Sequence, residues 1–329
     1  MSPSNTAIQS AESIQHKPTT QWRNPSIDQA ISGFTAGAVS TAILHPLDLV
    51  KTRFQVNEKL KARLSLKGSL REITKNEGIR ALYRGMSANM LGATMSWGMY
   101  FWWYANIKDW MRSDSPGSKT TKLAAPQHLA ASASAGMLTC LFTNPLWLIK
   151  TRMCTQRASD LGAYRHVFDG LAQVVRHEGI AGLYRGIFPA LIGVSHGAVQ
   201  FMIYEELKHL RIEIVHNADI DKLASILSFL IPRMICGTLE YISMAAISKI
   251  FATVFTYPYQ VVKSRMQVQP SYVNSQYSGT FGTIMQIVKN ERMGGFYKGM
   301  GVNIVRVMPG TCITFAVYEG MSKFLRNSY

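Results

Sequence analysis

The chain has 329 residues, a formal net charge of +16 and a hydrophobic content of 47%. This charge suits a nucleic acid, an anionic membrane surface or an anionic substrate as partner. The four cysteines have no spacing typical of a zinc site, a redox pair or a disulfide framework. Residues 1–25 have neither the apolar core of a signal peptide nor the arginines of a transit peptide, so we predict a disordered tail.

Two signatures each occur three times along the chain. Pro-x-x-x-x-Lys-x-Arg stands at 46–53, 145–152 and 258–265, and Glu-x-x-x-x-x-Tyr-Arg/Lys-Gly stands at 77–85, 178–186 and 291–299. The proline and the glutamate are 31, 33 and 33 residues apart. Such constant phase predicts three structural repeats, which we place at 26–120, 121–220 and 221–329, with an extended loop at about 221–237.

Each repeat is predicted to contain two long helices around a basic connector. The first helices begin near Asp28, Gln127 and Glu240, and the second begin near Gly85, Gly186 and Gly299. Each has room for the ~20 residues that cross a bilayer. A proline inside a helix removes a hydrogen bond, so kinks are expected at Pro46, Pro145 and Pro258.

Polar residues recur inside the second helices at steps of three and four, which places each set on one helical face. Lipid cannot satisfy polar groups, so these faces should line a water-filled path. The sequence therefore predicts an all-α membrane protein with six transmembrane helices. The polar sets are Ser96, Tyr100 and Tyr104; His196, Gln200 and Tyr204; and Thr311, Thr314 and Tyr318.

The positive charge lies mainly in the three connectors. The net charge is +7 from Lys51 to Arg84, +3 from Lys150 to Arg185 and +4 from Lys263 to Lys298. Two crossings per repeat put all three connectors on one face, which the positive-inside rule assigns to the matrix or the cytosol. A nucleic-acid-binding protein is disfavoured, because its charge would not be divided among three hydrophobic hairpins.

These motifs resemble those of the mitochondrial carrier family, from Ser26 to Leu325. Within the family the chain is similar to the carriers of FAD and folate, in the stretches 96–104, 144–147, 193–202, 248–252, 257–263 and 312–319. Trp147, which replaces an acid, is shared with carriers of NAD and pyrimidine nucleotides. The resemblance implies three short matrix helices and a monomer in the mitochondrial inner membrane. It also implies alternating access around one central site, with cardiolipin bound at the Tyr-Arg/Lys-Gly ends.

The resemblance further implies two gates. At the matrix gate the acidic positions hold Asp48, Trp147 and Gln260, and the basic positions hold Lys51, Lys150 and Lys263. Only Asp48 and Lys150 are then expected to form a full ion pair, while Gln260 can accept a hydrogen bond from Lys51. The cytoplasmic gate would contain Lys108, Glu205, Lys208 and Glu319, with Glu319–Lys108 as its one complete pair.

For the central site, Arg306 matches the basic contact point of the family, and Lys249 stands where the other repeats carry glycine. A lysine at that depth is costly unless it faces water or an anion. Trp97 or Tyr100 could stack on a flat ring. The full set of candidate substrate-binding residues is Ser96, Trp97, Tyr100, His196, Gln200, Lys249 and Arg306.

The sequence shows no Ser/His/Asp set, metal cluster or phosphate loop, so we predict neither an enzyme nor a bound metal or cofactor. The leading hypothesis is a transporter of FAD, folate or both, as substrates. Two alternatives stay open at this stage. One is a carrier of NAD or of a pyrimidine nucleotide, and the other is a membrane scaffold that transports nothing.

Overall fold

The computed structural model describes residues 25–56, 66–113, 125–160, 162–216, 237–268 and 279–327. The predicted tail and the loop at 221–237 lie outside these ranges, apart from Pro25 and Gly237. The chain divides into two compact units, Met1–Ser40 with Thr311–Tyr329, and Thr41–Gly310. All contacts described below lie inside one unit.

The described residues form helices and no strands, in a long–short–long order that occurs three times. The predicted helix starts lie within three residues of the observed ones, and the all-α prediction is confirmed. The helices are α1 Pro25–Val56, α2 Leu66–Glu77, α3 Met86–Ser113, α4 Ala125–Thr155, α5 Val167–Leu183, α6 Ile187–Ile192, α7 Ser195–His216, α8 Gly237–Val268, α9 Gly279–Glu291 and α10 Met300–Asn327, with short 3-10 helices at Ile79–Tyr83 and Arg292–Tyr297.

The second long helix of the middle repeat differs from the expectation. It is divided into α6 and α7 by Gly193 and Val194. Tyr259 from α8 lies against this break, where its hydroxyl donates to the carbonyl of Gly193 at 3.3 Å. A Cβ at Gly193 would meet the Tyr259 ring at 2.8 Å, so the glycine is needed for this approach.

Composition alone marks few of these helices as membrane spans. Among the described residues, two stretches are long and apolar enough to cross a membrane, Ile187–His209 and Gly279–Leu325, each with a mean hydropathy of 1.4. The remaining long helices contain the lysines and arginines of the repeated motifs and other polar side chains. Their mean hydropathy is lowered by these polar faces, as expected of helices that line an aqueous path.

The core of the unit Thr41–Gly310 lies where each short helix packs on the end of the preceding long one. In the first repeat Ile73 of α2 meets Leu49 and Val50 of α1. In the second, Val174 of α5 meets Leu148 and Ile149 of α4. The third repeat uses Ile287 of α9 against Val261 and Val262 of α8. Apolar burial therefore fixes each connector against its own repeat.

A left-handed glycine precedes the second long helix of each repeat. Gly85, Gly186 and Gly299 have φ angles of 81°, 77° and 83°. A Cβ on them would lie 3.4 Å from the carbonyl oxygen of Lys150, 3.3 Å from that of Lys263 and 3.1 Å from that of Lys51, respectively. Each repeat thus contacts a different neighbour, and the three contacts form a cycle.

Candidate functional site

Three arginines, of which Arg152 and Arg265 are buried and Arg53 is half-buried, join the repeats at the ends of α1, α4 and α8. Arg53 Nε donates to the carbonyl of Cys154 at 3.0 Å, Arg152 Nε to that of Gln267 at 2.8 Å, and Arg265 Nε to that of Gln55 at 2.9 Å. Each donor and its acceptor come from different repeats. These hydrogen bonds form a closed ring, which we call the arginine ring.

Each arginine of the ring also holds the glutamate of the second signature in its own repeat. Arg53 binds both oxygens of Glu77, at 2.6 and 2.8 Å. Arg152 likewise forms a two-pronged contact with Glu178, and Arg265 Nη1 lies 2.6 Å from Glu291. The sequence signatures contain these residues but predict no pairing between them. The signal available was the regular spacing of arginine and glutamate, 24, 26 and 26 residues.

The glutamates at the ends of the short helices are held ionised by these partners. The hydrogen bonds from Arg53 lower the pKa of Glu77 and outweigh its partial burial. Burial raises the pKa of Glu291, but its ion-pair partners Arg265 and Lys298 lower it by more. Both carboxylates therefore stay negative at neutral pH, as the ion pairs require.

A cavity of about 420 Å³ lies beside the arginine ring and is lined mainly by α1, α4 and α8. All six predicted matrix-gate residues are on its wall: Asp48, Lys51, Trp147, Lys150, Gln260 and Lys263. Neutral polar side chains complete the wall, among them Gln55, Gln267 and Tyr259. The fold therefore brings the predicted gate residues together from three distant segments of the chain.

Within this cavity one expected contact is found and another is not. Lys51 donates to Gln260 at 3.5 Å, which is the contact that the family resemblance implies. The expected Asp48–Lys150 ion pair is not among the contacts of the described residues, where Asp48 Oδ1 lies 3.1 Å from Arg306 Nε of α10. The Nε–H does not point at the carboxylate, so this contact is an ion pair without a hydrogen bond.

Trp147 occupies an acidic position of the motif and makes two contacts of its own. Its indole N–H donates to Ser96 of α3 at 3.2 Å, and Lys150 Nζ lies 5.4 Å from the centre of its ring. Gly92 lies against the indole, where a Cβ would be 3.6 Å away. A lysine over an indole is stabilised by the ring quadrupole, which explains how Lys150 is accommodated without Asp48.

The candidate substrate-binding residues are dispersed in the described part of the chain, and none is on the wall of the 420 Å³ cavity. Tyr100 is hydrogen-bonded to Ser132 at 2.8 Å, and His196 to Thr256 at 2.8 Å, so both connect neighbouring helices. Trp97 is 62% exposed and stacks on Phe101. Gln200, Lys249 and Arg306 are half-buried.

At the predicted cytoplasmic gate, the contacts described run along single helices. Glu205 pairs with Lys208 at 3.7 Å on α7, and Glu319 pairs with Lys323 at 2.8 Å on α10. Lys108 Nζ lies 4.6 Å from the centre of the Tyr104 ring on α3. Lys108 and Glu319 belong to different units, and their pairing stays a prediction.

Prolines 46, 145 and 258 lie inside α1, α4 and α8, which continue past them. Kinks at these positions stay predictions. Among the described residues no group of three His, Cys, Asp or Glu side chains is placed to hold a metal ion.

Comparison with known proteins adds the family. The family model described as mitochondrial carrier protein matches the chain three times, at residues 23–115, 121–214 and 236–329. The chain is 35% identical over 312 residues to the chloroplastic folate transporter 1 of Arabidopsis thaliana, covering 93% of this chain and 96% of that one. It is also 35% identical over 318 residues to the mitochondrial FAD carrier protein of Saccharomyces cerevisiae, covering 92% and 97%.

A third relative is the chloroplastic nicotinamide adenine dinucleotide transporter 1 of Arabidopsis thaliana, 35% identical over 306 residues and covering 90% of this chain and 91% of that one. The family and these relatives are transporters rather than enzymes, and the family implies no cofactor. The predicted architecture of six transmembrane helices in three two-helix repeats with short matrix helices is confirmed. The chain belongs to the mitochondrial carrier protein family.

Proposed function

We propose that this chain transports a flat, anionic molecule of the FAD or folate type across the mitochondrial inner membrane. The observation that carries the proposal is the cavity whose wall combines Lys51, Lys150 and Lys263 with the indole of Trp147. Cationic groups suit a pyrophosphate or glutamate carboxylates, and aromatic rings suit a flat heterocycle. Relatives of this chain include a carrier of FAD and a transporter of folate.

In this proposal the cargo reaches the 420 Å³ cavity with its anionic groups, and Arg306 and Lys249 outside the cavity wall add cationic contacts. Tyr100, Trp97 and Ser96 would contact its ring, and His196 and Gln200 would contribute hydrogen bonds. Because Arg306 is paired with Asp48 at 3.1 Å, an anionic cargo that binds Arg306 must compete with that carboxylate. The released Asp48 could then pair with Lys150, which would couple cargo binding to the matrix gate.

The proposed gates work in alternation. The matrix gate comprises the six residues on the cavity wall, and the cytoplasmic gate comprises Lys108, Glu205, Lys208 and Glu319. The arginine ring fits a matrix side that is closed. We further propose a monomer that binds cardiolipin at the basic starts of α3, α6 and α10.

NAD is the second candidate cargo, and a specific observation supports it. Two transporters named for nicotinamide adenine dinucleotide, one chloroplastic and one mitochondrial, are each 35% identical to this chain over 90% of its length. NAD also combines a pyrophosphate with flat rings. The chloroplastic relatives make a plastid the alternative location.

The test is uptake by the purified chain reconstituted in liposomes, with labelled FAD, folate, NAD and UTP in parallel. We expect saturable uptake of FAD or folate, and its loss in Arg306→Gln and Lys249→Gln. Lys289→Gln changes an exposed lysine of α9 and should keep wild-type uptake. Saturable uptake of NAD or UTP without FAD or folate would rule out the leading cargo.

A further inference from the structure

The 420 Å³ cavity holds more positive than negative charge. Lys51, Lys150 and Lys263 line it, and Asp48 is the one carboxylate among its described wall residues. Asp48 is itself paired with Arg306, at 3.1 Å. Within the described chain none of the three lysines forms an ion pair. The cavity and its immediate neighbour Arg306 therefore hold four cations against one anion.

A second cavity shows that this imbalance is specific. It has a volume of about 700 Å³ and lies against α1, α2 and the end of α4. Its charges cancel, because three arginines face three carboxylates. These residues are Arg53, Arg152 and Arg157, and Glu72, Glu77 and Asp160.

We call the 420 Å³ cavity the gate cavity. Its neutral contacts do not balance the positive charge of its lysines. Lys51 donates to the amide oxygen of Gln260 at 3.5 Å and lies 6.0 Å from the centre of the Tyr257 ring, and Lys150 lies over the ring of Trp147. Half-buried ammonium groups that share one small space repel each other and lose hydration, so they favour an anion between them. Gln267 adds a donor, since it is 1% exposed and its Nε2 has no partner in the described part of the chain.

The sequence explains why the cavity has an excess of positive charge. Two of the three acidic positions of the repeated motif hold Trp147 and Gln260, so two carboxylates are missing from the wall while all three lysines remain. The lost negative charge amounts to two units. A phosphate group at neutral pH carries about −1.5 to −2 and has several acceptor oxygens.

We propose that the gate cavity binds a phosphate-type oxyanion, which bridges Lys51, Lys150 and Lys263 where the two missing carboxylates would stand. The anion stabilises the closed matrix gate. It can be free inorganic phosphate, or it can be a phosphate group of the cargo. Only the second source depends on the proposed function.

The first experiment uses inorganic phosphate as the probe and the purified full-length chain without cargo. Its unfolding temperature is measured by tryptophan fluorescence, with chloride salt at equal ionic strength as the reference. We expect a saturable rise of several degrees in phosphate, because an anion bound to the folded state stabilises it. Lys263→Gln should weaken the apparent phosphate affinity by about tenfold or more, and Lys289→Gln should not change it.

The second variant restores a carboxylate instead of removing a lysine. Gln260→Glu should unfold at a higher temperature than wild type without phosphate, and its response to phosphate should be smaller. Gln286→Glu makes the same change on α9, outside the cavity, and should keep the wild-type response. If Lys263→Gln does not fold, equilibrium dialysis of labelled phosphate against wild type and Gln260→Glu makes the same comparison.

Competition identifies the source of the anion. FAD carries a pyrophosphate and displaces labelled phosphate if cargo phosphates enter the cavity, whereas riboflavin, which has no phosphate, does not. Phosphate that stays bound with FAD present assigns the site to the free anion. A failure of FAD uptake in liposomes leaves the phosphate response intact. Equal responses in wild type, Lys263→Gln and Gln260→Glu, or an unsaturable response in wild type, would overturn the proposal.

Discussion

Asp48 and Arg306 were assigned to different tasks from the sequence, one to a gate and one to the cargo. The structure pairs them at 3.1 Å. The family resemblance could predict the Lys51–Gln260 contact, because it implies that the acidic position of one motif pairs with the lysine of the next repeat. It could not predict the Asp48–Arg306 contact, because Arg306 has no counterpart at Gly92 or Gly193. Its reach toward α1 depends on side-chain conformation rather than on register.

Gly299, at the start of α10, is predicted to be required for the stability of the folded chain. Gly299 has φ 83°, and a Cβ there would lie 3.0 Å from the Tyr257 hydroxyl and 3.1 Å from the backbone oxygen of Lys51. Gly299→Ala should therefore lower the free energy of unfolding by roughly 2 kcal/mol, as measured by denaturant or thermal unfolding.

Gly301→Ala is the matched control, two residues further along α10. No atom lies within 4 Å of a Cβ at Gly301, and the residue is helical. Its substitution should leave stability unchanged or slightly higher, since alanine favours helix. Equal losses in the two variants would show that the left-handed turn at Gly299 is not what limits stability.

At the scale of helices, the residue before each motif proline connects the first long helix of its repeat to the segment that precedes the second long helix. His45 Nε2 lies 3.0 Å from the carbonyl oxygen of Arg84, Asn144 donates to that of Leu183 at 2.8 Å, and Tyr257 donates to that of Lys298 at 3.0 Å. The three residue types differ, so the identity-based comparison of repeats did not reveal them. Their common signal is position, one residue before the proline.

Helix starts and ends were predicted with different success. Gly85, Gly186 and Gly299 marked the starts of α3, α6 and α10, because a left-handed glycine has a local sequence signal. The break between α6 and α7 was not predicted, because the residue that contacts it, Tyr259, comes from another repeat. Local patterns thus located the elements, while contacts between repeats determined where one of them is interrupted.

The ion pair between Glu77 of α2 and Arg53 of α1 should be lost at acid pH, which would weaken the attachment of α2 to α1. Its pKa is lowered from 4.5 by hydrogen bonds from Arg53, so the folded state binds this proton less readily than the unfolded state. The stabilisation is present above about pH 4.5 and is lost as pH falls through the lower pKa of the folded state. We expect Glu77→Gln to unfold more readily than wild type at pH 6.

The measurement is the unfolding temperature of both proteins between pH 6 and pH 3. The difference between wild type and Glu77→Gln should shrink toward pH 3, where the wild-type carboxyl becomes protonated. Glu72→Gln removes an exposed carboxylate from the same helix and is the control for overall charge. A difference that stays constant with pH would mean that Glu77 acts through packing and not through its ionised form.

At the scale of the unit Thr41–Gly310, the arginine ring ties three repeats together through backbone carbonyls. The threefold repeat was evident from the two signatures. The ring was not, because its acceptors are the carbonyls of Gln55, Cys154 and Gln267, and a carbonyl has no sequence signal. The symmetry of the ring also contrasts with the asymmetry of the cavity beside it. The fold is therefore maintained by what the repeats share, and the cavity owes its charge to Trp147 and Gln260.

Arg152→Lys tests how much the ring contributes. Arg152 Nε donates to the carbonyl of Gln267 in the third repeat, while its terminal nitrogens bind Glu178 and Tyr164 in the second. A lysine keeps the charge but has a single ammonium, so it cannot serve both repeats at once. The side chain is 2% exposed, and water cannot replace the lost partners. We expect the free energy of unfolding to fall by roughly 2–4 kcal/mol.

Arg176→Lys is the control, because Arg176 is exposed on α5 in the same repeat. It should unfold as wild type does in a denaturant titration of the purified chain. A ring that joins the repeats predicts a further effect of Arg152→Lys, a loss of cooperativity in which the third repeat is cleaved by protease before the second. A variant that is less stable but still unfolds in one cooperative step would restrict Arg152 to its ion pair with Glu178. The contact with Gln267 would then be a consequence of the assembled repeats and not a cause of their assembly.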